Sequence, residues 1–237
     1  MGKLVLFVAA LWVWAISAQA EESLPLLQTR GEAVLEVPAD QATLQLGVVN
    51  VGRDADAAMA ESGRLSERVV KALHRAGVPQ GALTTRALAV QPQWSPRPRD
   101  AGADWQAQIV GYRVSNQIRL VTEQLTRLPL WIQAAVEAGA NEVGQLQFSL
   151  ADADGHYLQA LQLATRKARQ QADSVADAAG VGLGALYQLQ VESQSPRPLS
   201  GVRLEAMTMR AAGAAPVIEA GDIEVRAAVV VRYRIQP

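Results

Sequence analysis

Twice along this chain the spacing of apolar residues changes from every second position to every third or fourth, and back again. Ala42, Leu44, Leu46 and Val48 alternate with polar or small residues, the pattern of a half-buried strand. From Asp54 to Ala76 the period is helical, with Ala58, Leu65, Val69, Leu73 and Ala76 on one side. Gly77 stops that helix and Pro79 prevents its restart. A strand from about Leu83 to Gln93 follows, then a Pro-rich, aperiodic loop from Ser95 to Gln106. Tyr112, Val114, Ile118 and Leu120 then alternate with Arg113, Ser115, Gln117 and Arg119, a strand with one face on a core and one in water.

The second half repeats the order. Leu146, Phe148 and Leu150 alternate with Gln145, Gln147 and Ser149. A helix is expected from about His156 to Ala179, its apolar line Leu158, Leu161, Ala164, Ala168, Ala172, Val175 and Ala179, the alanines small enough for close packing on a sheet. A strand near Ala185 to Ser193, a ragged loop to Ala220 and a long alternating strand from Ile223 to Ile235 complete it. Two short matches fall at equivalent points: GVPQGAL from Gly77 to Leu83 against GVGLGAL from Gly180 to Leu186, and Ser-Pro-Arg-Pro at Ser95 and again at Ser195. Together they favour a duplicated βαββ unit. The expected modules are residues 21–123, with an extra strand near Gly31 to Val37, and 124–237, with an extra helix near Leu125 to Ala138. The fold class is therefore α+β, mainly antiparallel sheets with helices on one face.

The first twenty residues read as a cleaved signal peptide: Lys3, the uncharged stretch Leu4 to Ile16, then Ala18-Gln19-Ala20. That stretch is shorter than the roughly 20 residues that span a bilayer, and the rest of the chain has no transmembrane segment. Without the signal the chain carries 21 basic and 23 acidic side chains, which argues against nucleic acid as a partner. With no cysteine, an exported chain has no disulfide and must rest on its hydrophobic core. The expected location is the periplasm.

Several segments resemble the SIMPL-domain family (domain of unknown function 541), which includes YggE-like exported proteins and a periplasmic immunogenic protein. The residues that carry the resemblance are Gly31 to Ala33, Val37 to Ala42, Gly111 to Asn116, Gly139 to Asn141, Phe148 to Leu150, the helix around Ala168, Arg169 and Ala172, Gly180 to Gly184, and Pro216 to Glu219 with Gly221. The resemblance implies an exported protein without an assigned catalytic activity, with some members linked to oxidative-stress defence and oligomeric assembly plausible. It supplies no catalytic or binding residues.

Other candidate chemistry reads mostly as structure. Asp152-Ala-Asp154-Gly155-His156 lacks the later oxygen ligands of a calcium loop, so Asp154 or Asp152 is expected to cap the next helix. Gly180, Gly182 and Gly184 follow a helix instead of opening one, the reverse of a dinucleotide site, and are read as a helix stop and turn. His74 and His156 are the only histidines, and no metal or cofactor is expected. Neither G-x-S-x-G nor S-x-x-K occurs. The two Ser-Pro-Arg-Pro loops are the surface feature of most interest. Arg97, Arg99, Arg197 and Arg203 offer guanidiniums for anionic head groups or cell-wall polymer, and Trp94 and Trp105 flank the first loop as candidate partner anchors. The alternative is a pair of rigid polar loops. The expected function is a non-catalytic binding or structural role in the cell envelope, as a homo-oligomer. The competing reading is an envelope hydrolase with an unrecognised carboxylate site.

Overall fold

The computed structural model describes residues 24–100, 102, 104–192, 197–198 and 220–236. The signal segment, Ser195 to Pro196, Arg203 and the residues 216–219 that contribute to the resemblance lie outside them. Two antiparallel sheets carry three helices. In chain order the elements are β1 (Leu26–Pro38), β2 (Gln41–Gly52), α1 (Ala55–Arg75), β3 (Leu83–Trp94), β4 (Ile109–Thr122), α2 (Leu128–Ala138), β5 (Glu142–Ser149), α3 (Ala153–Ala179), β6 (Gly182–Glu192), the two-residue β7 (Arg197–Pro198) and β8 (Asp222–Gln236). A single 3-10 turn, Leu125–Arg127, leads into α2.

One sheet has the order β1-β8-β6, with β7 also paired to β8; the other has the order β3-β4-β2-β5. The order β2-α1-β3-β4 recurs as β5-α3-β6-β8, and the last strand of each set lies inside its sheet, next to the third. The first strands do not follow their halves. β1 lies beside β8, as β2 lies beside β4, while β5 adds to the free edge of β2. Sheet membership thus crosses the division at residue 123.

α1 and α3 each lie on one face of one sheet: α1 on β2, β3 and β4, α3 on β1, β8 and β6. Ala42, Leu44, Leu46, Val48, Val114, Ile118, Leu120, Leu146 and Phe148 are buried, as their alternation predicts. So are Ile223, Val225, Ala227, Val229, Val231 and Tyr233 on β8. These residues, except Val114, belong to a single hydrophobic core shared by the two sheets. α2 packs on α1, where the Trp131 indole Nε1–H donates to the Ala76 carbonyl at 3.1 Å.

The two sheet-packing helices meet their sheets differently. On α3 the buried line is Ala160, Ala164, Ala168, Ala172 and Ala176, a strict four-residue step. Leu158 and Val175, expected on that line, are 56% and 42% exposed, and Ala179 is exposed too. The reason is steric. At Gly31 on β1 a Cβ would lie 1.9 Å from the Ala164 carbonyl oxygen and 2.9 Å from the Ala168 Cβ, so this face of α3 has room for nothing larger than alanine. Thr29 ties the helix down, its hydroxyl donating to the Ala168 carbonyl at 2.7 Å. On α1 the buried line is Ala58, Ser62, Ser66, Val69 and Leu73. Here the link is polar: Asn116 of β4 donates to the Ser66 hydroxyl at 2.8 Å, and Ser66 donates to the Ser62 carbonyl.

Gly31→Ala is expected to lower stability by about 3 kcal/mol, because backbone atoms of α3 occupy the space its methyl needs. Urea unfolding of the mature protein checks this. A loss under about 0.5 kcal/mol, the size of an ordinary surface change, would show that α3 can retreat freely.

Candidate functional site

The Ser-Pro-Arg-Pro loop at Ser95 extends the β3–β4 hairpin. Ser95 and Gln108 bridge its base, the Ser95 N–H donating to the Gln108 carbonyl at 2.8 Å and the Gln108 N–H to the Ser95 hydroxyl at 3.0 Å. Beyond that bridge the Arg97 guanidinium stands 5.9 Å over the Trp105 ring and donates to the Gly102 carbonyl at 3.4 Å. Arg97 and Trp105 are therefore brought together, with Trp105 half-buried. Arg99 is exposed, and Trp94 ends β3 with 56% of its surface open. In the second loop the backbone of Arg197 and Pro198 pairs with Glu224 and Ile223 of β8.

The smaller motifs are structural. Asp152 caps α3, its carboxylate accepting from the Gly155 N–H at 2.9 Å. Gly155 suits this cap because a Cβ there would meet the Asp152 carboxylate at 2.1 Å. Gly180 ends α3 at φ +68°. Gly182 and Gly184, read from sequence as part of a turn, belong instead to β6, and a Cβ at Gly184 would lie 2.8 Å from the Arg234 carbonyl oxygen. The His74 Nδ1 lies 3.0 Å from the Val78 carbonyl oxygen, which can only accept, so Nδ1–H is the donor.

Two shallow clefts open near the end of α1. One, of about 230 Å³, is lined by Val70, His74, Gln80, Leu83, Thr84 and Thr85 among others. The second, of about 280 Å³, is lined by Gln41, Pro79, Ala82, Val121, Thr122, Glu123 and Gln124. Glu123 is the one carboxylate lining either cleft. Glu61 and Glu67 sit below the usual carboxylate range because Arg64 and Lys71 bond to them on the exposed face of α1. That is the opposite direction from the raised pKa of a general acid. Among the described residues no three His, Cys, Asp or Glu side chains gather to hold a metal ion, and no helix is long and apolar enough to cross a membrane.

The residues that carry the family resemblance have clear work in the fold. Asp40, in the crossover from β1 to β2, accepts from the Ala151 N–H at 2.7 Å, joining that crossover to the start of α3. The neighbouring Ala39 N–H donates to the Gly221 carbonyl at 3.3 Å. Gly139 closes α2 at φ +118°, a conformation that disfavours a side chain. Asn141 then clamps β2 through both backbone groups of Val49: its side-chain oxygen accepts from the Val49 N–H at 2.8 Å and its amide donates to the Val49 carbonyl at 2.6 Å. Sequence reasoning placed Asp40 and Asn141 in motifs without assigning these roles. An Asn two residues after a helix-stopping glycine is a local signal that could have found the second.

Twin antiparallel sheets, each with a helix on one face, and a set of motif residues spent on holding them together define an α+β protein without an evident catalytic constellation among the described residues. The chain belongs to the SIMPL family, described as a protein of unknown function (DUF541), whose model matches residues 27–233. It is 29% identical over 182 residues to the 26 kDa periplasmic immunogenic protein of Brucella melitensis, covering 77% of this chain and 72% of that one. It is 27% identical over 194 residues to the uncharacterized protein YggE of Edwardsiella ictaluri, covering 81% and 79%. With the uncharacterized protein YggE of Escherichia coli K12 the identity is 25% over 217 residues, covering 91% and 84%.

Asn141→Ala should cost about 1–3 kcal/mol in urea unfolding, since it removes both hydrogen bonds to Val49. Arg97→Ala, on an exposed loop, should stay within about 0.5 kcal/mol of the parent. Equal effects from the two would contradict the structural role of the Asn141 clamp.

Proposed function

We propose that this is a non-catalytic protein of the cell envelope, exported to the periplasm, that works by assembling with copies of itself. The observation that carries the reading is a pair of exposed edge strands. β3 and β6 each border a sheet, in corresponding places of the two sequence halves. On β3, Leu88 and Val90 pair with Asn116 and Val114 on the α1 side, yet remain 58% and 38% exposed. On β6, Leu189 and Val191 pair with Val231 and Val229 on the α3 side and are 44% and 40% exposed. Neither helix reaches far enough to cover its outermost strand. A long apolar edge offers unpaired backbone groups to another strand, and a second copy brings a matching edge.

Export to the periplasm is supported by the signal-like first twenty residues and by a relative whose name is periplasmic. The twin modules 21–123 and 124–237 fit the same picture, each contributing one such edge. A hydrolase would need convergent carboxylates in a cleft; in the two clefts beside α1 Glu123 is the lone carboxylate. In oxidative-stress defence the protein acts indirectly. Zero cysteines leave no peroxide-reducing thiol, and after Met1 only Met59, Met207 and Met209 offer oxidisable sulfur.

Light scattering of the mature protein should give a mass several times that of the chain. Leu88→Lys and Leu189→Lys should each reduce it by placing a charge on a pairing edge. A monomer at micromolar concentration would overturn the reading. Purified protein should not accelerate peroxide loss above a heat-killed control; turnover would contradict the indirect role.

A further inference from the structure

The two sheets each leave one face without a helix among the described residues, and the two faces differ in how far they satisfy themselves. On the β1-β8-β6 sheet the exposed polar side chains are laced together. Arg232 donates to Gln28 at 2.7 Å and Gln188 at 3.0 Å, Arg30 pairs with Glu192 and Glu32, Arg226 pairs with Glu224, and Arg234 lies 5.8 Å over the Tyr187 ring. Four arginines meet glutamates or uncharged partners across all three strands.

The β3-β4-β2-β5 sheet is different. Register puts Arg113 beside Gln91, Arg119 beside Gln45, and Gln117 between Ala87 and Gly47. Gln147 lies on the same face, opposite Thr43. These side chains alternate with the buried Val114, Ile118, Leu120, Leu44, Leu46 and Leu146, so they point away from α1. Among the described residues, none of the six polar ones just named before Thr43 has a side-chain hydrogen bond or ion pair, in contrast to the ties of the other sheet. Among the described residues the one acid over this face is Glu142, whose side chain rests on Gly47. Arg113 and Arg119 therefore leave it net positive. They stand six residues apart on one strand, about 20 Å. Small residues, Gly47, Ala87, Ala89 and Ser115, keep the floor between them low. At the Arg113 end Val51 lies directly opposite Arg113 and is 64% exposed, and Val49 lies opposite Ser115.

We propose that this face binds an extended anionic glycan. Carboxylates of the polymer meet the guanidiniums of Arg113 and Arg119, whose planar forks suit them. Ring hydroxyls meet the side-chain amides of Gln45, Gln91, Gln117 and Gln147, which both donate and accept. The occupant is a glycan and not a lipid surface because two guanidiniums and four unpaired amides outnumber the larger apolar side chains of the face, Val49, Val51 and Val121. This binding surface stands apart from self-assembly through β3 and β6, so either can fail without the other.

The test is titration of the mature protein with an oligogalacturonate, with maltohexaose as neutral control and phosphatidylglycerol vesicles as the lipid arm. Saturable oligogalacturonate binding that weakens with salt is expected, with maltohexaose at least tenfold weaker. The double variant Arg113→Gln, Arg119→Gln should lose at least tenfold in affinity, and Arg232→Gln on the other sheet nothing. Circular dichroism and light scattering on each variant separate loss of the site from loss of fold or assembly. Should the double variant misfold, the single Arg113→Gln and Gln117→Ala variants carry the test. Equal binding of the neutral glycan, preference for vesicles, no binding at all, or undiminished binding by folded variants would each overturn the proposal.

Discussion

The approach of α3 to β1 at Gly31 sets the geometry of the whole molecule. Helix backbone atoms occupy the space where any side chain at Gly31 would stand, and the Thr29 hydroxyl holds the Ala168 carbonyl beside it. That contact seats β1 against α3 and alongside β8, at the edge of a sheet whose other main strands come from the far end of the chain. Once β1 is placed there, Pro38, Ala39 and Asp40 must carry the chain across to the other sheet, and Asp40 anchors the crossing to Ala151. The alanine line on α3 follows from the same constraint. A larger residue there would push the helix off the strand and open a gap that nothing nearby could fill.

The related helix α1 solves the packing problem with serines in place of alanines. Ser62 and Ser66 are small enough to lie close, and Asn116 beneath them supplies a directional bond. The cost is polar atoms inside the interface, where each needs a partner. The α3 side avoids that cost with apolar methyl groups. Two units of the same order thus show two kinds of helix–sheet contact, one shaped by sterics and one by hydrogen bonding.

The family motifs concentrate on these joints. Gly31, Asp40, Gly139, Asn141 and Phe148 shape a close contact, a crossover, a helix stop, a clamp and a core position, respectively. None of these groups lines the two clefts. With these residues occupied in the frame, the surfaces left open to a partner are the edge strands, the uncovered sheet faces and the loop beyond Trp94. The contrast between a self-satisfied sheet face and an unsatisfied one gives those surfaces different chemical characters, although the two sheets are built alike.

Local chemistry made much of this legible from the residues in order. The period-two runs of β2, β4 and β8, the helical period of α1, the glycine stops at Gly77 and Gly180 and the Asp152 cap all depend on neighbours within one or two turns of chain. The loop residues Arg97 and Trp105 were likewise visible as candidates, though not that one would stack on the other. What tertiary structure alone decided was pairing. That β1 joins β8 and β5 joins β2 depends on contacts between residues far apart in the chain, Leu26 with Arg234 for example, and alternation marks a strand without naming its neighbour. The same holds for α3: several helical lines of apolar residues were available, and only the close approach of Gly31 selected the alanines for burial while leaving Leu158 and Val175 in water.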